Sequence, residues 1–397
     1  VGTGLTPPPG GVIFLIAGEP SGDRLGAALM AGLKTLAPGL RFAGVGGPMM
    51  QAEGMESLFP MEELSIMGLV EVLPKYFHLK RRIAQTAQAV AGMQADALIT
   101  IDSPDFCLRV AGLVKGGKPD LPVIHYVAPS VWAWRPGRAV KMARVVDHVL
   151  ALLPFEPPYM QAAGMSCDFV GHPVVAEPLA SPEERAALAG EGPLILALPG
   201  SRKGEVTRLA PVLGQVMGRI KAVHPAARVA LPTVRGVAGL VRDLVRDWPI
   251  VPEIIEDAGR KRAAFAAADV AIAASGTVSL ELAANACPMV IAYDMHPVTL
   301  WLMRRAALID TVTLVNLVSD SRAVPEFIGP RCRADLIAPE VLRLLAEGPG
   351  AQARAMALTM ERLGRGGEPP GLRAARSVLA HLEGRRLLAA PAPDPQA

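Results

Sequence analysis

One plan occurs twice in this chain: a short apolar run, a turn of small residues, then a segment of helical periodicity. Near the start it is Val12–Ala17 (VIFLIA), the loop Gly18-Glu19-Pro20-Ser21-Gly22-Asp23, and a helical pattern from Arg24 to about Ala37. About half a chain later it is Leu194–Leu198 (LILAL), then Pro199-Gly200-Ser201-Arg202-Lys203-Gly204, then a helical pattern from Glu205 to about His224. A strand that stops in such a turn before a helix aims backbone N–H groups and the positive helix end at one spot, which suits a phosphate. Arg202 and Lys203 add full charge, and an Arg can grip two phosphate oxygens. There is no GxxxxGK[ST], so this is not a Walker loop. An ordinary strand–helix turn explains either stretch taken alone.

The alternation continues. Arg41–Val45, Ala97–Ile101, Val123–Val127 and Val146–Leu152 read as further strands in the first half. Arg228–Leu231, Val270–Ala274, Met289–Ala292 and Val312–Leu317 read so in the second. Strands alternating with helices predict an α/β fold with mostly parallel sheets, and ligands then sit beyond the carboxyl ends of the strands. The predicted organisation is a disordered segment 1–11, a Rossmann-like domain 12–175, a Pro/Glu/Ala-rich hinge 176–193 and a second Rossmann-like domain 194–350, the two facing across a cleft. C-terminal helices within 351–388 and a disordered tail 389–397 follow. Helices are expected at Pro339–Leu345, Ala351–Leu363 and Leu372–Leu387. Gly44-Val45-Gly46-Gly47 half-matches a dinucleotide fingerprint but lacks its third glycine, so an oxidoreductase is poorly supported.

A length of 397 residues with 51% hydrophobic content fits two domains with sizeable cores. The net charge of +3 is too small to argue for nucleic acid. Cys107, Cys167, Cys287 and Cys332 lie far apart with no CxxC pair, so they are expected to be reduced, with neither a disulfide framework nor a zinc site. Pro7-Pro8-Pro9 stands where a signal peptide would need its apolar core, and no run of 18 apolar residues exists; a cytoplasmic protein is expected.

Several polar residues fall at the predicted strand ends. Glu19, Ser21, Gly22 and Asp23 occupy the first loop; Asp23 also makes sense as a helix-start acid. In ALITIDSPDF (97–106), Ser103 fits an N-cap, Pro104 the first helical position and Asp105 the first turn, which leaves Asp102 without a capping task. Asp102 stands where a base acting on a substrate hydroxyl would be placed. His125 begins a stretch ending in Trp132 and Trp134, which read either as core or as an apolar wall for a sugar or acyl chain. Arg135, Arg138, Lys141 and Arg144 follow. In the second half Ser275-Gly276-Thr277 precedes a helix carrying Glu281, and Asn316 marks a third loop. Three loops meeting at one anion site are preferred to three coincidental caps.

Between Leu64 and Leu79 the chain reads LSIMGLVEVLPKYFHL, a helical stripe with a wide apolar face that Pro74 should break in two. Met67, Leu69, Val70, Val72, Leu73, Tyr76 and Phe77, with Lys80, Arg81 and Arg82, combine apolar and basic character as an anionic lipid surface requires; a buried core helix is the alternative. Pro297–Leu308 (PVTLWLMRRAAL) repeats that combination.

AGEPSGD (17–23), GVGGPMMQAEGM (44–55), IDSPDF (101–106), HYVAPSVWAWRPGR (125–138), LPGSRKGEV (198–206), SGTVSLE (275–281) and NLV (316–318) resemble, in order, the lipid-A-disaccharide synthases. Ser103 replaces a common Ala, as does Pro20; neither changes a charge. The resemblance implies a GT-B-type inverting glycosyltransferase of bacterial lipid A assembly. It would move 2,3-diacylglucosamine from UDP to the 6-hydroxyl of 2,3-diacylglucosamine 1-phosphate (lipid X), giving the β-1′,6 disaccharide 1-phosphate and UDP. It further implies Asp102 as base, UDP contacts at Arg202, Glu281 and Asn316, and a cleft-lining role for Glu19 and its loop. Peripheral attachment to the inner membrane is implied as well. A homodimer is also open to this chain, since the family's C-terminal region can exchange between subunits. With no Asp-x-Asp motif, neither metal nor other cofactor is expected. The rivals are another UDP-sugar enzyme of the same fold, such as the peptidoglycan N-acetylglucosaminyltransferase or a UDP-sugar 2-epimerase, and a non-catalytic nucleotide-sugar or lipid carrier.

Overall fold

The β-branched and leucine-rich runs become strands buried on both faces, as parallel strands flanked by helices must be. In the computed structural model, which describes residues 11–64 and 69–389, the chain divides into two units. Unit 1 runs to Pro173 and resumes at Gly366; unit 2 is Val174–Arg365.

Unit 1 holds β1 (Val12–Ala17), β2 (Arg41–Val45), β3 (Glu56–Ser57), β4 (Ala97–Ile101), β5 (Val123–Tyr126), β6 (His148–Ala151) and β7 (Ser166–Phe169). They form one sheet in the order β3-β2-β1-β4-β5-β6-β7, every pair parallel. Unit 2 holds β8 (Leu194–Leu198), β9 (Arg228–Pro232), β10 (Glu253–Ile255), β11 (Val270–Ala273), β12 (Met289–Tyr293) and β13 (Glu326–Ile328), in the order β10-β9-β8-β11-β12-β13, again all parallel. Both are Rossmann-like sheets. Each reverses its strand order beside its first strand, at β1/β4 and β8/β11, where such folds bind ligands.

Several expectations need correction. Val312–Leu317 is not a strand: Leu314–Ser319 is a short helix, and the edge of the sheet is completed by β13 against β12. A short apolar run cannot by itself choose between the two. β3, β7 and β10 are brief, partly polar edge strands that apolar periodicity passes over. The first helix starts at Pro20, so Pro20–Asp23 is its first turn rather than loop. Helix Leu69–Gly92 runs through Pro74 without a break, since one missing N–H in its second turn removes a single bond. The stretch read as a hinge contains helix Pro182–Ala186, with a capping box from Ser181 and Glu184; Arg262 pairs with Glu184. Of the segments 1–11 and 389–397, expected to be disordered, 1–10 and 390–397 lie outside the described residues, and Ala389 ends the last helix.

The C-terminal helices separate. Ala351–Arg362 belongs to unit 2, whereas Pro370–Ala389 packs along helix Pro20–Leu36 of unit 1. Two glycines permit that approach: a Cβ on Gly32 would lie 2.6 Å from the Gly371 carbonyl oxygen, and one on Gly371 equally close to that of Ala28. All four cysteines are buried free thiols.

Candidate active site

In unit 1 the site gathers at the carboxyl ends of β4 and β5. Asp102 follows β4 directly, and its N–H donates to the Tyr126 carbonyl at 3.0 Å, which locks it beside the end of β5. Asp102, Ser103 and Val127 all take left-handed backbone angles, with φ of 51°, 44° and 84°. Such geometry is costly for side-chain-bearing residues, most of all a β-branched one, and clusters where function over-determines the backbone. A concavity of about 280 Å³ opens here, lined by Asp102, His125, Val127, Ser130, Trp134 and Arg138 among others. His125 is fully buried behind it and shares a 2.7 Å hydrogen bond between Nδ1 and the Thr100 hydroxyl. Burial pushes its pKa down to about 4, so it stands as neutral imidazole at physiological pH.

Ser103 begins the following helix without using its hydroxyl as a cap. That hydroxyl abuts Gly18 instead: a Cβ on Gly18 would lie 2.6 Å from the Ser103 Oγ, which joins the turn after β4 to the one after β1. Glu19 is half-buried at the N-cap of the first helix and Ser21 is exposed on its first turn. Gly22 and Asp23 face inward. The Asp23 carboxylate accepts from the N–H groups of Gly47 (2.9 Å), Met49 (3.0 Å) and Met50 (3.0 Å), so it caps the helix Pro48–Ala52. The expectation of a ligand role for Asp23 gives way to this scaffold role. Trp132 also needs correction: it is 8% exposed, stands edge-on to Phe155 and donates Nε1–H to Glu156 at 3.2 Å. Trp134, two residues on and 37% exposed, is the one that lines the concavity, with the Arg135 guanidinium 4.1 Å above its ring.

In unit 2 the turns after β8 and β11 stand side by side because Leu198 and Ala273 are register partners. Gly200 (φ 107°) and Gly276 (φ 151°) take backbone angles that residues with a Cβ rarely adopt. A Cβ on Gly200 would lie 2.4 Å from a Glu205 carboxylate oxygen. That carboxylate bends back over the start of helix Lys203–Val223. It accepts from the N–H of Ser201 at 3.2 Å and pairs with the Arg202 guanidinium at 3.2 Å, so an anion already sits on these donors. Tyr293, at the end of β12, has its pKa raised by burial and by the Glu205 carboxylate beside it. Ser275 donates its hydroxyl to the Val312 carbonyl at 3.3 Å, which brings the third loop alongside. Thr277 occupies the N-cap of helix Val278–Ala284 with no side-chain cap bond, and Gly276 has open space around it. Glu281 pairs with Lys261 at 2.6 Å.

Asn316 departs from the expectation of direct ligand contact. It is 1% exposed; its Nδ2 donates to Thr311 Oγ1 (3.2 Å) and the Val324 carbonyl (2.9 Å), and its Oδ1 accepts from the Val324 N–H (2.9 Å). Its side chain is consumed in shaping the loop. Glu326, overlooked in the sequence, completes that task by accepting from the N–H groups of Val312 (3.0 Å) and Thr313 (2.9 Å). Nothing in sequence spacing links it to residues fourteen positions back.

For the apolar–basic stretch, Met67 lies outside the described residues, as do the side chains of Leu69, Val70, Val72, Leu73 and Tyr76. Phe77, Lys80 and Arg81 are exposed. Arg82 is not part of that surface: it forms a two-point ion pair with Glu63 and lies 4.4 Å over the Phe59 ring. No helix among the described residues is long and apolar enough to cross a membrane. No group of three or more His, Cys, Asp or Glu suited to a metal ion occurs among them either.

Two Rossmann-like sheets, one with glycine turns at its switch point and one with a strained carboxylate at its own, define the class as GT-B-like in fold. The chain is similar in fold to the UDP-GlcNAc 2-epimerase from Neisseria meningitidis bound to UDP-GlcNAc, at TM-score 0.61 and 12% identity over 94% of this chain and 99% of that one. It is similar to Acinetobacter baumannii MurG at TM-score 0.52 and 15% identity, over 95% and 100%. At such identities these likenesses establish the fold and not the chemistry. The model of the lipid-A-disaccharide synthetase family matches residues 13–367. The chain is 62% identical to the lipid-A-disaccharide synthase of Ruegeria pomeroyi over 94% of its length and 96% of that protein, and 46% identical to that of Rhodospirillum centenum over 93% and 94%. The chain belongs to the lipid-A-disaccharide synthase family. It is an enzyme, a glycosyltransferase of lipid A assembly.

Proposed function

We propose that unit 2 holds the UDP part of a UDP-2,3-diacylglucosamine donor and that Asp102 of unit 1 is the base for its transfer to lipid X. The observation that carries this reading is Asp102 itself: a carboxylate at the switch point, held in a left-handed backbone and opening on a concavity walled by Trp134 and a neutral His125. In the reaction, the 6-hydroxyl oxygen of the acceptor attacks the anomeric carbon and its proton passes to the Asp102 carboxylate. The bond from that carbon to the diphosphate oxygen breaks with its electron pair leaving on UDP, so the anomeric configuration inverts. A positioned base contributes on the order of 10²–10⁴-fold. The charge growing on UDP is met by the amides of the Gly200–Arg202 turn, by the Arg202 guanidinium and by the start of helix Val278–Ala284. The diphosphate takes over the donors that Glu205 caps. Glu281 and the loop shaped by Asn316 and Glu326 orient the nucleoside.

Because both substrates carry acyl chains, the enzyme works at the cytoplasmic leaflet of the inner membrane, where its nucleotide donor is available. Exposed Phe77, Lys80 and Arg81 support that attachment. The test is to incubate the purified chain with UDP-2,3-diacylglucosamine and lipid X and look for the disaccharide 1-phosphate by mass spectrometry. Product from the native chain, and product formed about 10²–10⁴-fold more slowly by Asp102→Asn despite normal UDP binding, is expected. Native-like turnover by Asp102→Asn would remove the base assignment.

A further inference from the structure

Helix Pro297–Ala306, which follows β12 in unit 2, is anchored to its domain by Leu300 and is otherwise exposed wherever its side chains are described. Leu300 is buried, its methyl seated where a Cβ on Gly329 would come within 2.3 Å. At ~100° per residue, Val298, Trp301, Leu302 and Arg305 share the arc opposite Leu300. Val298 is 65% exposed, Trp301 55% and Leu302 58%, and Leu308 just beyond the helix is 61% exposed. A contiguous exposed patch of this kind marks an interaction surface. In its middle the Arg305 guanidinium lies 4.2 Å over the Trp301 ring.

We propose that this helix is a lipid-facing surface of unit 2 that lies flat in the headgroup layer of an anionic bilayer. The choice of lipid rests on the acyl-substrate reading above, and the charge pattern agrees with it. From Met295 to Ile309 the sequence has two Arg and no acid. Trp at headgroup depth, apolar side chains below it and an Arg reaching phosphates suit an interfacial helix. Ten residues are far too few to span a bilayer.

The test is flotation of the full chain with vesicles of phosphatidylethanolamine containing one-quarter phosphatidylglycerol, against vesicles of phosphatidylcholine alone. Trp301→Ser combined with Leu302→Ser should lower the bound fraction on the anionic vesicles about five-fold or more. Arg305→Glu should lose binding there and little on the neutral ones. Anionic vesicles should also shift tryptophan emission to the blue in the native chain, and Trp301→Phe should abolish that shift; this readout holds even if the double variant folds poorly. Native-like flotation of a folded double variant would overturn the proposal. So would a change in its sedimentation from dimer to monomer with flotation intact, which would make the face a contact between copies. Turnover on substrates dispersed in detergent should survive these substitutions. Failure of the native chain to form disaccharide there would sink the proposed function while leaving the flotation result to judge this surface separately.

Discussion

Units 1 and 2 share a strand order through their first six strands and carry their candidate sites at the same switch point, yet they build those sites from opposite materials. Unit 2 uses glycine where the backbone turns unusual, at Gly200 and Gly276. Unit 1 puts Asp102, Ser103 and Val127 into left-handed angles and bears the strain. Under the function proposed above, the difference follows from what each site would have to offer. A turn that presents N–H groups to phosphates works best with no Cβ in the way. A site that moves a proton needs a carboxylate at a fixed point, and the cost of roughly 1–3 kcal/mol per strained residue is tolerated for it.

Substitutions can break this contrast, and the largest effect is expected at Asp102. Asp102→Asn should lower kcat by about 10²–10⁴-fold with UDP affinity unchanged in calorimetry. Arg202→Ala should do the reverse, weakening UDP binding about 10–100-fold through loss of a charge-assisted bond, with the smaller change in kcat. If both variants lost kcat and binding together, the division of labour would be wrong. Gly200→Ala adds a Cβ against Glu205 at an angle that Ala resists. It should cost ~1–3 kcal/mol in denaturant unfolding of unit 2 and weaken UDP binding, whereas Gly276→Ala meets only the backbone strain.

Acid sharpens the comparison on stability. His125, His148 and His172 all lie in unit 1, and burial holds each near a pKa of about 4. Neither His224 nor His296 of unit 2 is buried. Below about pH 6.5 the unfolded chain takes up protons that the folded histidines refuse, so their contribution is lost as pH falls toward 4. Glu156, pushed up to about 7 by burial, works the other way: its contribution is present below the ordinary carboxylate range and lost as pH rises through 7. Three groups outweigh one. Hydrogen exchange at pH 7 and pH 5 should show unit 1 losing protection before unit 2, and Glu156→Gln should steepen that loss. Equal loss in both units would contradict the histidine account. The smallest effect is expected from Glu326→Gln, which weakens the bonds shaping the 311–313 loop and should raise the UDP Kd a few-fold.

How much of this was legible beforehand differs between residues for definite reasons. The central strands β1, β4, β8 and β11 are visible in sequence because burial on both faces demands unbroken apolar runs. The position of Asp102 at the end of β4 was legible from the apolar run before it, whereas the capping task expected of Ser103 was not performed by its hydroxyl. The choice between Trp132 and Trp134 was not legible. Residues 131–134 form a turn and not the end of a strand, so i and i+2 do not share a face, and the placement of Phe155 and Glu156 decides that Trp132 is the buried ring.

The sequence by itself determined the alternation, the family and the small-residue turns, because periodicity, glycine and proline act over a few neighbouring residues. Tertiary structure alone decided that Asp23 and Asn316 spend their side chains inside the fold, that Arg82 answers to Glu63, and that the last helix returns to unit 1. It also decided that most of Pro297–Ala306 stays bare. Each of those outcomes depends on a partner far away in the chain, and a hydrogen-bonding group or an apolar face reveals its task only once that partner is beside it.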